Sequence, residues 1–294
     1  MKLGIGTAQF GLDYGISNQE GKTPPAEVAR ILDIAAHSGV RVIDTASLYG
    51  TSEQVLGKTM PPGHHFDIVT KTPHFSKYSI PSEEVNYLEE TFHQSLLNLD
   101  QSSVYGLLVH RADDLLVENG HLLMAKMLDL KQQGLVSKVG VSIYNSEQIE
   151  RLLDKYSIDL VQLPINVLDQ RFILGGYLSM LKTKGIEIHA RSVFLQGLLL
   201  MQPDSLPNYF DSVKAHLRAY HDVIARQDIS PIEAALAFVN DIDEIDVVLC
   251  GINNCQQLQQ VLLAMDTPYG KGSRELANFA ITNTSILNPS AWGF

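Results

Sequence analysis

Eight short apolar runs, at 3–6, 40–43, 68–71, 104–109, 137–141, 160–163, 186–190 and 247–250, alternate with segments of helical periodicity. Such alternation predicts an α/β chain whose parallel strands close into a (β/α)8 TIM barrel. Two further observations point the same way. Three successive runs are closed by Asp44, Lys71 and His110, the positions at which barrel strands open onto a functional face. Short glycine turns lead into strands, whereas long irregular loops lead out of them.

The elements follow in order. Gly4-Ile5-Gly6 opens the first strand, and the loop at 7–22 runs to Thr23-Pro24-Pro25, where proline suits a first helical turn because its missing N–H is not needed there. Val28, Ile31, Leu32, Ala35 and Ala36 then share one helical face, and His37-Ser38-Gly39 hands the helix over to Val40-Arg41-Val42-Ile43. Loops at 45–53 and 72–81 flank the third run, and Val85, Leu88, Phe92, Leu96 and Leu97 form the next helical stripe. Lys182-Thr183-Lys184-Gly185 ends a helix before the seventh run, the loop at 196–210 leads out of it, and Ser230-Pro231 starts another helix. The tail at 267–294 has no clear period and holds the single tryptophan, Trp292. No linker interrupts the pattern, so residues 1–294 read as a single domain with a short irregular tail.

Composition narrows the partners. A net charge of −11 and a pI near 5.3, without a long basic run, argue against nucleic acid and against an anionic membrane surface. No stretch is long and apolar enough to span a bilayer, and the first residues enter a strand without an apolar leader. Cys250 and Cys255 lack the spacing of redox or zinc motifs, so a reduced cytoplasmic setting is expected. His64-His65 and His74 sit in loops without a ligand pattern, and no metal site is expected. A small-molecule ligand is the partner that remains; no heptad pattern speaks to oligomeric state.

The residues at the strand ends suggest the chemistry. A lysine inside a barrel mouth is partly desolvated, and Asp44 on the neighbouring strand can keep Lys71 charged. A cationic Lys71 beside Tyr49 is expected to pull the phenol pKa down from about 10 toward neutrality, making it a proton donor and acceptor. His110, on the next strand, can aim an N–H at a carbonyl oxygen that gains negative charge.

The string Asp44-Thr45-Ala46-Ser47-Leu48-Tyr49-Gly50-Thr51-Ser52-Glu53, with Val69-Thr70-Lys71 and Leu108-Val109-His110, resembles the aldo-keto reductases. The likeness extends to Gly4-Ile5-Gly6-Thr7, Lys138-Val139-Gly140-Val141-Ser142 and Val161-Gln162-Leu163-Pro164-Ile165-Asn166, and so covers nearly the whole chain. It implies an NAD(P)H-dependent enzyme that reduces an aldehyde or ketone. Tyr49 would be the general acid, Lys71 and Asp44 its partners, and His110 the group orienting the carbonyl. NADPH, with NADH possible, would lie extended without a glycine-rich Rossmann turn, and the chain has no GxGxxG after a strand.

By the same resemblance the cofactor would meet Gly6, Thr7, Asp44, Ser142, Gln162, Arg191, Ser192, Phe194, Gln196, Gly197, Gly251, Asn253, Asn254 and Gln257. The chain departs from the family pattern at three places. Ile143 stands where an asparagine usually follows the serine, and Arg191 where an aromatic ring usually stacks on the nicotinamide; a guanidinium there should disfavour the oxidised, cationic ring. Asn253, Asn254 and Gln257 offer no cation for a 2′-phosphate, so weaker discrimination for NADPH is expected unless Lys271 or Arg274 reaches in. Tyr14, Tyr78, Phe194, Tyr209 and Trp292 are candidate pocket walls. Two other functions fit the residues less well: a Schiff-base lyase using Lys71, which the Asp44 partner disfavours, and a cofactor-sensing protein with little turnover.

Overall fold

The computed structural model describes residues 2–75, 78–266 and 273–292, the side chains of Ser273 and Arg274 excepted. Eight strands, β1 (Leu3–Gly6), β2 (Val42–Asp44), β3 (Asp67–Lys71), β4 (Val104–Val109), β5 (Val136–Ser142), β6 (Leu160–Pro164), β7 (Glu187–Arg191) and β8 (Val247–Gly251), pair in parallel in chain order. β8 also pairs with β1, which closes the barrel and leaves no sheet edge. Every expected strand is present, with ends shifted by at most a few residues.

Helix ends follow the expected chemistry. Pro25 begins the helix Pro25–His37, and Ser230 caps Pro231–Asn240 in a reciprocal box with Glu233. Gly39 and Gly185 adopt the left-handed backbone that turns each chain into its strand. Two expected contacts fail: Ala36 is exposed on the helix Pro25–His37, and Leu97, assigned to the buried stripe of the helix Ser82–Leu99, is 74% exposed, because that stripe passes through Leu88, Phe92, Ser95, Leu96 and Leu99 instead.

Alternation along the strands divides the barrel interior into layers. Val42, Val69, Leu108, Leu160, Val247 and Leu249 form one apolar cluster inside it. Two residues further along their strands stand Asp44, Lys71, His110, Gln162 and Gly251, so the site rests on a dry apolar layer. Residues of the other strand face join the larger core beneath the helices. The tail is more ordered than its pattern suggests. Leu276, Phe279, Ile286, Leu287 and Trp292 are buried, Ile281 N–H donates to Leu168 O (2.9 Å), and the Phe210 and Trp292 rings meet edge to face.

No helix of the described residues is long and apolar enough to cross a membrane, and no group of three or more His, Cys, Asp or Glu among them is placed to hold a metal ion. Cys250 and Cys255 are both free thiols.

Candidate active site

The loop carrying Tyr49 is pinned before any charge is considered. Thr7 Oγ1 donates to Asp44 O (2.9 Å), Ser52 Oγ to Thr7 O (2.9 Å), and Thr45 Oγ1 to Ser52 Oγ (3.1 Å), all buried. Tyr49 O accepts from Ser52 N–H at 3.0 Å. A Cβ at Gly11 would lie 1.8 Å from Tyr49 O, so only glycine lets the first loop press this close beneath the tyrosine. Buried bonds of this kind fix the backbone from which the phenol projects.

Charge is arranged around that phenol. Lys71 Nζ donates to Asp44 Oδ2 (2.7 Å) and to Thr45 O (2.8 Å), and Gln162 Nε2 donates to Asp44 Oδ1 (2.7 Å). The pair is almost wholly out of water, with side-chain exposures of 1% for Lys71 and 6% for Asp44. Burial lowers the Lys71 pKa against the pull of Asp44. The ammonium stands over the Tyr49 ring, 5.1 Å from its centre.

This placement reverses the expected direction for Tyr49. Its pKa is raised well above 10, by burial first and by the Asp44 carboxylate second, with Arg191 opposing. Burial, reinforced by the neighbouring carboxylate, thus leaves the phenol protonated at rest.

His110 stacks edge-on to Tyr49 at 5.8 Å between ring centres and lies 5.2 Å from the His74 ring. Burial, then Lys71, His74 and Arg191, push its pKa down to about 3, so the imidazole is neutral. Its Nδ1 is buried and makes no hydrogen bond. A neutral ring with one N–H can donate to an oxygen without carrying a competing charge.

Asp44, Tyr49, Lys71 and His110 all line one cavity of about 330 Å³ at the C-terminal mouth of the barrel. Of the expected cofactor residues, Gly6, Thr7, Ser142, Gln162, Arg191, Ser192, Phe194, Gln196, Gly197, Gly251, Asn253 and Gln257 line it too. Asn254 does not line it; its Oδ1 accepts from Gln257 N–H (2.9 Å) and its Nδ2 reaches Glu20 Oε2 (3.4 Å). Cys255 N–H is likewise taken by Glu27 Oε1 (2.7 Å), so two carboxylates occupy the start of the helix Cys255–Asp266. Lys271 and the Arg274 side chain lie outside the described residues.

Among the aromatic candidates, Tyr14 and Phe194 line the cavity, while Tyr209 donates to Ser285 O (3.0 Å), Trp292 packs in the tail and Tyr78 is exposed. Tyr144 is the wall that sequence reasoning missed: its ring lies 4.3 Å from the Arg191 guanidinium carbon. The available signal was a tyrosine two residues past the end of β5.

The donor set suits a nicotinamide dinucleotide. Gln162 spends its N–H on Asp44 and keeps Oε1 as an acceptor beside the Ser142 hydroxyl, an arrangement that can hold a carboxamide. Arg191 Nε and His110 Nδ1 are buried polar atoms still without partners at the same mouth.

Known proteins share this fold. The sequence model of the Aldo/keto reductase family matches residues 2–273. Uncharacterized oxidoreductase YqkF of Bacillus subtilis (strain 168) is 24% identical over 285 residues, covering 90% of each chain. Among solved structures, the holo form of aldo-keto reductase AKR11C1 from Bacillus halodurans superposes with a TM-score of 0.75 at 21% identity, covering 96% of this chain and 94% of its own. Glycerol dehydrogenase AKR11B4 from Gluconobacter oxydans gives 0.73 at 19% identity, covering 94% and 90%. With that match along nearly its whole length, on a closed barrel whose mouth carries the expected polar set, the chain belongs to the aldo/keto reductase family, a family of oxidoreductase enzymes.

Proposed function

We propose that the chain reduces a small aldehyde or ketone to an alcohol with a nicotinamide cofactor, Tyr49 acting as general acid, and that residues 1–294 work as one domain in this reaction. The supporting observation is the convergence of a protonated phenol, a buried Lys71–Asp44 pair and a neutral imidazole on one cavity. Reduced nicotinamide, when bound, supplies the hydride.

The chain's own groups handle the proton. Hydride arrival at a carbonyl carbon leaves charge on its oxygen, and that oxygen is a far stronger base than the phenolate of Tyr49. The phenol therefore gives up its proton downhill even with its raised pKa, and holds it securely until then. His110 offers a neutral N–H to the same oxygen. Lys71, fixed by Asp44 and Thr45, places positive charge beside the ring as the phenolate forms. The hydrogen bond to Asp44 favours the ammonium form against the burial that lowers the Lys71 pKa, which opposes a Schiff-base role.

Ser142 and Gln162 would hold the carboxamide, and Gly6, Thr7, Ser192, Phe194, Gln196, Gly197, Gly251, Asn253 and Gln257 the rest of the dinucleotide. At the adenosine end the carboxylates of Glu20 and Glu27 lie where a 2′-phosphate would seek cations, so NADPH is preferred only weakly over NADH. Oxidation of NADPH and NADH, followed at 340 nm with a panel of aldehydes and ketones, tests the activity. Carbonyl-dependent turnover is expected; cofactor binding without any turnover would favour a sensing role instead.

A further inference from the structure

The loops that leave β3 and β4 are laced together beside His110. Thr72 N–H donates to Leu108 O (2.9 Å), and His110 N–H donates to Thr72 Oγ1 (3.2 Å). Arg111, next in the chain, donates through Nε to Asp114 Oδ1 (2.7 Å) and through Nη2 to Phe75 O (2.6 Å). Its guanidinium thus clasps the loop after β3 to the turn Ala112–Leu115. The clasped loop carries His74, whose ring lies 5.2 Å from that of His110. Arg111 and Asp114 stand outside the catalytic cavity, so the clasp acts on the site only through His110 and its neighbours.

Asp114 is a costly anchor. Its side chain is 1% exposed, and Oδ2 is buried without a hydrogen bond among the described residues. Burial pushes its pKa up to about 6, against the pull of Arg111 and of the Phe75 peptide N–H, with Asp113 adding to the rise. From the helix Ser146–Leu153, Gln148 turns a neutral amide to Asp113 Oδ1 (3.0 Å); before the helix His121–Gln132, a Cβ at Gly120 would lie 2.7 Å from Asp114 O. On the far side of the clasp, burial and then the Arg111 charge lower the His74 pKa, which keeps that imidazole neutral. A buried carboxylate with one oxygen unanswered costs more than a neutral amide of the same shape. What the amide could not do is hold a guanidinium by charge. The clasp is therefore firm while Asp114 is ionised and slack once it takes a proton, and the slack reaches His110 through Phe75 and Thr72.

We propose that Asp114, acting through Arg111, is a positioning residue for His110, and that protonation of Asp114 in mild acid slows the reaction by releasing the clasp. The proposal rests on the reductase reading, in which His110 offers its N–H to the carbonyl oxygen. No change of charge on the reacting groups is involved, since His110 is already neutral and Tyr49 keeps its proton.

The test follows kcat and KM for an uncharged aldehyde against pH in the wild type, Asp114→Asn, Arg111→Lys and His74→Gln. The wild type is expected to lose activity below about pH 6, mainly in kcat. Asp114→Asn has a permanently uncharged anchor, so its profile should be flat through that range on a plateau about tenfold lower. Arg111→Lys keeps a charge for Asp114 but cannot span both bonds, so it should keep the acid limb on a lowered plateau. His74→Gln should keep the limb as well. A flat wild-type profile, a limb that persists in Asp114→Asn, or one that disappears in His74→Gln overturns the proposal. So does an Asp114→Asn protein with wild-type kcat and lower urea stability, the mark of a purely structural pair. Independently of turnover, the NMR signals of Arg111 Nε–H and of the His110 backbone N–H should shift together in the wild type with a midpoint near pH 6, and stay still in Asp114→Asn. Signals that do not move together overturn the proposal. If no carbonyl compound is reduced at all, the reductase reading fails, and these signals alone decide whether Asp114 governs the placement of His110. The same wild-type signals decide should Asp114→Asn not fold.

Discussion

The two ends of the barrel interior solve the same problem in opposite ways. At the floor, Glu187 accepts from Tyr105 Oη (2.7 Å), from Lys138 and from His189 Nε2 (2.6 Å), with His189 fully buried. Burial alone would raise the Glu187 pKa, yet the bonds from His189, Lys138 and Tyr105 outweigh it and hold it at about 2. At the mouth, among the described residues, Asp44 accepts from Lys71 and Gln162, while Arg191 and His110 keep buried atoms without partners and one positive charge is left over. β4, β5 and β7 each contribute to both ends, so the difference is not one of fold. Both ends keep a buried imidazole nitrogen without a partner among the described residues, His189 Nδ1 at one and His110 Nδ1 at the other; what marks the mouth as a ligand site is its cavity and its leftover positive charge.

The largest effects test that division. Asp44→Ala strands a buried ammonium and is expected to cost about 3–5 kcal/mol in urea unfolding, with loss of turnover. Glu187→Gln should cost about 3 kcal/mol at neutral pH, the value of its pKa displacement, but leave kcat for aldehyde reduction unchanged. A fall in kcat without a fall in stability would erase the distinction between the two clusters. The sign is fixed by the depressed pKa: stability from Glu187 is present above about 4.5, its unfolded value, and drains away as pH falls toward about 2. Acid unfolding of Glu187→Gln should lack that component.

The mouth was legible in the sequence because its members end apolar runs. An aspartate, lysine or histidine closing a buried strand stands out against Val, Ile and Leu, and Asp44, Lys71 and His110 did so. The floor was not legible. Glu187 begins β7, Lys138 and Tyr105 sit near the starts of β5 and β4, and His189 lies within a run. Their meeting depends on the stagger of three strands around a closed barrel, which no single stretch encodes. The direction of the Tyr49 shift was hidden for a related reason: it depends on how completely the phenol is buried and how near the Asp44 carboxylate lies, a matter of side-chain placement. Tyr144 escaped because loop conformation decides what a residue beyond a strand covers.

Smaller effects sharpen the comparison. His110, with a pKa near 3 against 6.5 when unfolded, should show no imidazole titration between pH 5 and 8 by NMR. Because the unfolded chain takes up that proton first, its contribution to stability is present above about pH 6.5 and declines as pH falls toward 3. A normal titration near 6.5 would place the ring in water and outside the mouth cluster. The smallest effect concerns cofactor: Kd values for NADPH and NADH should differ by less than about tenfold, because Glu20 and Glu27 take the place of phosphate-gripping cations. A much larger preference for NADPH would show a cation reaching in from outside the described residues.

Tyr49, protonated at rest, is expected to donate the hydrogen that completes carbonyl reduction. Single-turnover oxidation of bound reduced cofactor by a reactive aldehyde, in wild type and Tyr49→Phe, tests it most directly. The account predicts a rate at least about a hundredfold lower in Tyr49→Phe, at unchanged cofactor affinity; equal rates in the two proteins would contradict it.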